Sequence, residues 1–253
     1  MIDKMDLNNK ASSLRKKLGE DSESSVDIFN LVQKIENLTL VFYSLGENIS
    51  GVCYKGKGSN VIAINSEMSL GRQRFSLAHE LYHLYFDHSS IHSVSPALIG
   101  GGDETERKAD QFASYFFIPP SSLYTMIEMI KEKREQSDSL TLEDVIKLEQ
   151  YYGVSHKAML YRLLSDGYLQ SSQAKAMEVG VRATAAKLGY DTTLYRPSSE
   201  DRKEIVLGHY ITAAEKLLEE DRISQGKYEG VLLDAFREDI VYGIGGEGET
   251  PLD

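Results

Sequence analysis

His79, Glu80 and His83 stand in the stretch RFSLAHELYHLYFDH, which runs from Arg74 to His88. On a helix, residues four apart share one face, so the two imidazoles can hold a single cation between them. Glu80 falls beside that position, where a carboxylate can take a proton from water. H-E-x-x-H in this form is the signature of zinc-dependent hydrolysis. A catalytic zinc takes three protein ligands and leaves a fourth position open, so a third ligand is required. His88 misses the spacing of the H-E-x-x-H-x-x-G-x-x-H class, whose third histidine would fall at Ser89 and whose glycine would replace Phe86. Downstream, ETERKAD carries Glu106 and Asp110 four apart. Glu106 is expected as the third ligand. Asp110 is expected to accept the free N–H of a ligating histidine and fix its tautomer. Glu104 competes with Glu106, but only Glu106 has an aspartate at that offset.

These residues need elements to hold them. Apolar spacing predicts a helix from Arg72 through the H-E-x-x-H stretch and another from Glu104 to Ile118, stopped by Pro119 and Pro120. The prolines open a further helix toward Arg134. Before the first site helix, two short helices flank GEDSESS, the second carrying Val26, Phe29, Val32 and Ile35. Three strand-like runs follow, Leu38–Leu45, Ser50–Lys55 and Asn60–Asn65, joined by the turn segments GEN and GKGS. A small three-stranded antiparallel sheet packed on the H-E-x-x-H helix is the expectation. SSIHSVSPALIGGGDE between the two site helices reads as a loop. Residues 141–168 read as a helix pair capped by Thr141 and Ser155 with a stop at Gly153. Beyond it, helices are expected over about 171–188, 202–220 and 224–242, with a frayed tail. The fold class is therefore α+β, with a mostly helical C-terminal half. The expected units are residues 1–137, a helix-turn-helix-like pair at 138–170, and a helical region at 171–253.

Acidic residues exceed basic ones, 39 against 28, and the net charge is −11. Nucleic-acid binders usually carry the opposite sign. The helix pair itself is slightly acidic, with Glu143, Asp144, Glu149 and Asp166 against Lys147, Lys157 and Arg162. It is read as a packing or substrate-binding module, and no direct nucleic-acid contact is expected. The single cysteine, Cys53, excludes an intrachain disulfide and reads as a buried apolar residue. No window spans a bilayer and MIDKMDLNNK has no signal-peptide character, so a cytoplasmic location is expected.

The E-x-x-x-D pair reproduces an arrangement of thermolysin-like zinc enzymes. RQRFSLAHELYHLYFDH followed by ETERKADQFASYFFIPP resembles the ImmA/IrrE family of zinc metallopeptidases. VIAIN before the first site helix and YYGVSHKAMLYRLLSDGYL after the second are similar to that family too, and EEDRISQGKYEGVLLDAF more loosely. The resemblance covers roughly residues 10–168. It implies zinc on His79, His83 and Glu106, Glu80 as base, and a histidine at the position of His88, assigned here to the surroundings of the ligands. Tyr82 stands where a glycine is common, and Asp110 where asparagine is. The resemblance also implies a narrow substrate, a repressor with a helix-turn-helix domain, cut under stress or in mobile elements to relieve repression. Some relatives carry their own N-terminal repressor-type domain, and this chain is expected to lack one. Tyr82, Tyr115, His88 and His92 are the side-chain donors available to an oxyanion. The competing expectation is an interaction protein that keeps the metal and binds or senses a partner without cutting it. An intact Glu80 favours the enzyme.

Overall fold

The computed structural model describes residues 2–133 and 139–243. All but Ser139 of REQSDS (134–139), which reads from the sequence as an exposed connector, lies outside those residues, as do the end of the helix expected at Arg134 and the tail expected from Gly245. The chain forms an α+β fold built on one mixed sheet.

Helices α1 (Lys4–Lys17) and α2 (Ile28–Val32) precede strands β1 (Leu38–Tyr43), β2 (Ile49–Lys55) and β3 (Asn60–Asn65). The strands stand where the sequence placed them, but not as an antiparallel meander. β1 pairs with β3 in parallel, and β2 is antiparallel to β3 on its other side. The connection from β1 to β2 therefore crosses the end of β3. Asn65, buried at that end, makes the crossing possible: its Nδ2 donates to Gly46 O (2.6 Å) and Ile49 O (2.7 Å). A loop read as a hairpin turn is instead held by a side chain from a strand beyond it.

Two strands join that were not expected. β4 (His92–Pro96) pairs antiparallel with β2, inside the stretch read as a loop. β5 (Ile205–Gly208) pairs antiparallel with β1, inside a stretch read as helix. The sheet order is β4-β2-β3-β1-β5. Leu40, Phe42, Cys53, Ile62 and Ile64 share one face and are buried.

Helix α3 (Leu70–Phe86) lies on that sheet, and α4 (Glu104–Phe117) packs against α3 and α1. Gly71 near the start of α3 sits against the backbone of Val154 and Ser155; a Cβ there would come within 2.6 Å of Ser155 N. α4 begins at Asp103, whose carboxylate accepts from Thr105 N and Glu106 N. Its end faces Pro119 and Pro120, which have no N–H to give the last carbonyls. Two buried arginines take their place. Arg15 Nη1 donates to Phe116 O (2.7 Å), and Arg162 Nη1 donates to Ser114 O (3.2 Å) and Ile118 O. Arg162 is thus turned inward, away from any phosphate.

α5 (Pro120–Glu132), α6 (Leu142–Tyr152) and α7 (His156–Ser165) follow. α6 starts on a Thr141–Asp144 capping box and stops at left-handed Gly153. The first helix expected beyond 168 is split into α8 (Ser171–Ala176) and α9 (Val181–Lys187). This region is tied to α6 and α7 by a buried cluster. Glu149 accepts from Tyr195 Oη (2.6 Å) and pairs with His156 Nδ1 (2.7 Å), while His156 Nε2 faces Met177 O (3.0 Å). α10 (His209–Glu219), α11 (Gln225–Asp234) and α12 (Glu238–Tyr242) gather around a small cluster of Ala214, Tyr228 and Leu232. No helix among the described residues is long and apolar enough to cross a membrane.

Candidate metal centre

α3 is covered by the sheet on one side and α4 on the other, so its polar residues are enclosed. His79, Glu80 and His83 are all buried. His79 and His83 turn their Nε2 atoms toward each other, 3.2 Å apart. Glu106, in the first turn of α4, completes the group: Oε2 lies 3.1 Å from His79 Nε2 and Oε1 lies 3.2 Å from His83 Nε2. Among the described residues, these three form the one His/Cys/Asp/Glu group that could hold a metal ion. The far nitrogens are held by carboxylates. Asp110 Oδ1 stands 2.8 Å from His79 Nδ1, and Asp87 Oδ2 stands 3.2 Å from His83 Nδ1. Each aspartate is itself anchored. Gly100 N donates to Asp110 Oδ2 (2.6 Å), and Ser89 donates to Asp87 Oδ1 through its N (2.9 Å) and Oγ (2.5 Å).

Carboxylates accept, so each Nδ1 carries the proton and each Nε2 presents a lone pair. Two lone pairs and a carboxylate then converge on one point with no donor among them. The group calls for a cation. A tetrahedron with metal–ligand bonds of about 2.0–2.1 Å has edges of about 3.3 Å, close to the 3.1–3.2 Å separations among the three side chains. The donor set and its spacing fit zinc. Without a cation, a proton on His79 Nε2 takes its place. Burial disfavours a charge on His79, but its bonds to Asp110 and Glu106 outweigh this and raise its pKa to about 9. Burial likewise opposes ionisation of Glu106, and bonds to the two histidines override it, lowering its pKa to about 2.

Glu80 does not join the three. It points to the sheet side, and neither oxygen makes a well-formed hydrogen bond among the described residues. Burial pushes its carboxyl above the ordinary range, while His79, His83 and the Ser95 hydroxyl pull the other way without overcoming it. The space it occupies exists because position 51 of β2 is glycine: a Cβ there would lie 2.6 Å from Glu80 Oε1.

Of the other expected residues, Asp110 stands at His79 as the i, i+4 spacing to Glu106 implied. His88 does not reach the cluster; it is exposed just past the end of α3 and makes no hydrogen bond among the described residues. Its neighbour Asp87 holds His83 instead. That residue was overlooked, although it stands four after His83, the offset that singled out Asp110 relative to Glu106. Tyr82 turns to Phe86 and Phe112 and meets His83 at its ring edge. Tyr115 lies under the Arg162 guanidinium. His92 is exposed on β4.

A comparison with curated proteins returns no match. The family model described as the IrrE N-terminal-like domain, Peptidase_M78, matches residues 37–164, from the eve of β1 to the last turn of α7. That span contains the sheet core, both site helices and all five side chains of the cluster, and the chain belongs to this metallopeptidase family.

Proposed function

We propose that the protein is a zinc-dependent endopeptidase with His79, His83 and Glu106 as zinc ligands and Glu80 as general acid–base. The observation that carries the reading is the convergence of three metal-competent atoms at tetrahedral-edge spacing beside a buried, unpaired carboxylate. Zinc held there would supply Lewis acidity, making a water more acidic and polarising the scissile carbonyl. The protein's own residues do the rest. Glu80 accepts the proton of the attacking water and delivers it to the departing amine. Burial raises its pKa above the ordinary carboxyl range, the direction that favours holding a proton. Asp110 and Asp87 keep the histidine tautomers and ring orientations fixed. Beside Glu80, β4 is an edge strand of the sheet, with no strand on its outer side among the described residues. An extended peptide can add there as a further strand, with Ser95 next to the base.

The substrate we propose is a single regulatory protein, a helix-turn-helix repressor whose cutting relieves repression. The support is the family resemblance together with an acidic chain of net charge −11, complementary to a basic DNA-binding domain. The test is elemental analysis of the purified protein, with incubation against repressors encoded nearby and Glu80→Gln as control. One zinc per chain and cleavage by the wild type alone is the expected result, with Glu80→Gln at least about 10²-fold slower. Zinc without cleavage of any repressor, and equal partner binding by both forms, would support the interaction protein instead.

A further inference from the structure

Lys55 is a charged side chain next to the metal centre that has no role in the reading above. Lys55 is the last residue of β2 and faces the end of α3. Its Nζ donates to His83 O (3.2 Å) and to Asp87 O. Both carbonyls belong to residues of the site, one a proposed ligand and the other the carboxylate that holds it.

The helix end explains why a side chain is needed there. In a regular helix the amide of Asp87 would donate to His83 O, four residues back. Here it donates to Tyr82 O (3.2 Å), one residue further back. The His83 carbonyl loses its usual donor, and Lys55 takes it up. An ammonium at a helix C-terminus also meets the negative end of the helix dipole. Asp87 itself has left the helix, with φ −90° and ψ 107°. Its carboxylate reaches back to His83 Nδ1 only while this turn keeps its shape. Lys55 holds Asp87 by its carbonyl, and Ser89 holds it by one carboxylate oxygen.

We propose that Lys55 is a positioning residue for the metal centre: by clamping the carbonyls of His83 and Asp87 it fixes the last turn of α3, so that Asp87 orients His83 toward the metal. The proposal rests on the metal-centre reading above. β2 then serves the site twice along one face, with Gly51 making room for Glu80 and Lys55 locking the turn that carries His83.

The test is zinc affinity of the full-length protein, measured by competition with a chromophoric chelator, beside thermal unfolding of the zinc-free form. Lys55→Met is expected to weaken zinc binding about 10–100-fold, the range typical of lost outer-shell support. Lys55→Arg, which can still cap carbonyls, is expected to restore most of it. Asp87→Asn should weaken binding comparably, and the double variant Lys55→Met/Asp87→Asn should be no weaker than the worse single one, because both act through His83. Lys34→Met is the control: Lys34 Nζ donates to Leu18 O (3.1 Å) at the end of α1, so its loss removes a similar cap far from the site. It should lower the unfolding temperature without moving zinc affinity. If Lys55→Met does not fold, Lys55→Gln replaces it, with a loss of about 10-fold expected. Affinity within twofold of wild type in the Lys55 variant, whatever its unfolding temperature, overturns the proposal, as do additive losses in the double variant. A wild type that binds no zinc, or binds it equally after His79→Ala, overturns the metal-centre reading itself.

Discussion

α3 and α10 both lie in stretches expected from the sequence to be helical, yet they live in different surroundings. In α3, 12 of 17 residues are buried, including Arg72, Gln73, Ser76, His79, Glu80 and His83. In α10 only Ala214 is buried. The difference lies in what covers them. α3 is sandwiched between the sheet and α4, so its polar face has no water to turn to, and an unpaired polar group there is expensive. Gln73 is paired with Ser66 O and Met68 O, the Nε2 atoms of His79 and His83 face a site that can take a ligand, and Ser76 Oγ is left without a hydrogen-bond partner among the described residues. α10 rests with α11 and α12 on a cluster of three buried residues and keeps its charges in solvent. Enclosure on both sides is what turns a polar helix face into a reactive site.

The largest effect is expected where a buried charge supports the enclosed half. Arg162 is fully buried and caps α4 through Ser114 O and Ile118 O, with its Nε on Asp166 Oδ2 (2.6 Å). Arg162→Met strips those carbonyls and should destabilise the whole fold by about 3–5 kcal/mol, read from urea unfolding. A loss near zero would mean that the carbonyls find other donors and that enclosure costs less than argued. Leu232→Ala, in the small cluster, should cost about 2–3 kcal/mol, but locally. Amide exchange should quicken in α10–α12 while α3 and α4 keep their protection and zinc affinity stays put. Equal loosening of α3 would erase the distinction between the two regions.

The enclosed half was the more legible one, and for local reasons. The i, i+4 pairs of α3 and α4 depend only on helical spacing, and the Thr141, Asp144 and Gly153 signals of α6 act within one turn. The sheet was harder to read. β4 carries Ser93 and Ser95 toward α3 rather than apolar residues, so no alternation announces it. β5 is four residues long and adjoins a real helix, and only the free edge of β1 makes it a strand. The parallel pairing of β1 with β3 hangs on Asn65, whose partners are 16 and 19 residues away in sequence. Asp87 obeyed a spacing rule and could have been found. Lys55 obeyed none, since its partners lie 28 and 32 residues on.

A smaller effect on stability, with a larger one on chemistry, is expected at Gly51. Its added Cβ would meet the Glu80 carboxyl at 2.6 Å, and the carboxyl must yield. Gly51→Ala should cost about 1–2 kcal/mol of stability. Displacing the acid–base group by about 1 Å should slow peptide cleavage about 10²-fold. The check is a cleavage assay beside an unfolding curve, with zinc content expected to hold at wild-type level. Activity falling only in step with stability would remove the reason given for a glycine at this position.

The smallest effect should be seen at Cys53, and it tests both regions at once. Its thiol faces α3 between Gly51 and Lys55 and is fully buried. Burial, and then the nearby Glu80 charge, push its pKa from 9.0 up to about 12. The folded state therefore favours the neutral thiol. The resulting stabilisation is complete below pH 9 and is lost as pH rises toward 12. At pH 8 a thiol reagent should leave the native protein unlabelled until it opens. Because β2 is central to the enclosed half, labelling should follow global unfolding. Leu232→Ala should then speed amide exchange in α10–α12 without speeding Cys53 labelling, whereas Arg162→Met should speed it about tenfold for each 1.4 kcal/mol of stability lost. If Leu232→Ala accelerates labelling as much as Arg162→Met does, the two regions open together, and the C-terminal helices are part of what keeps the site closed.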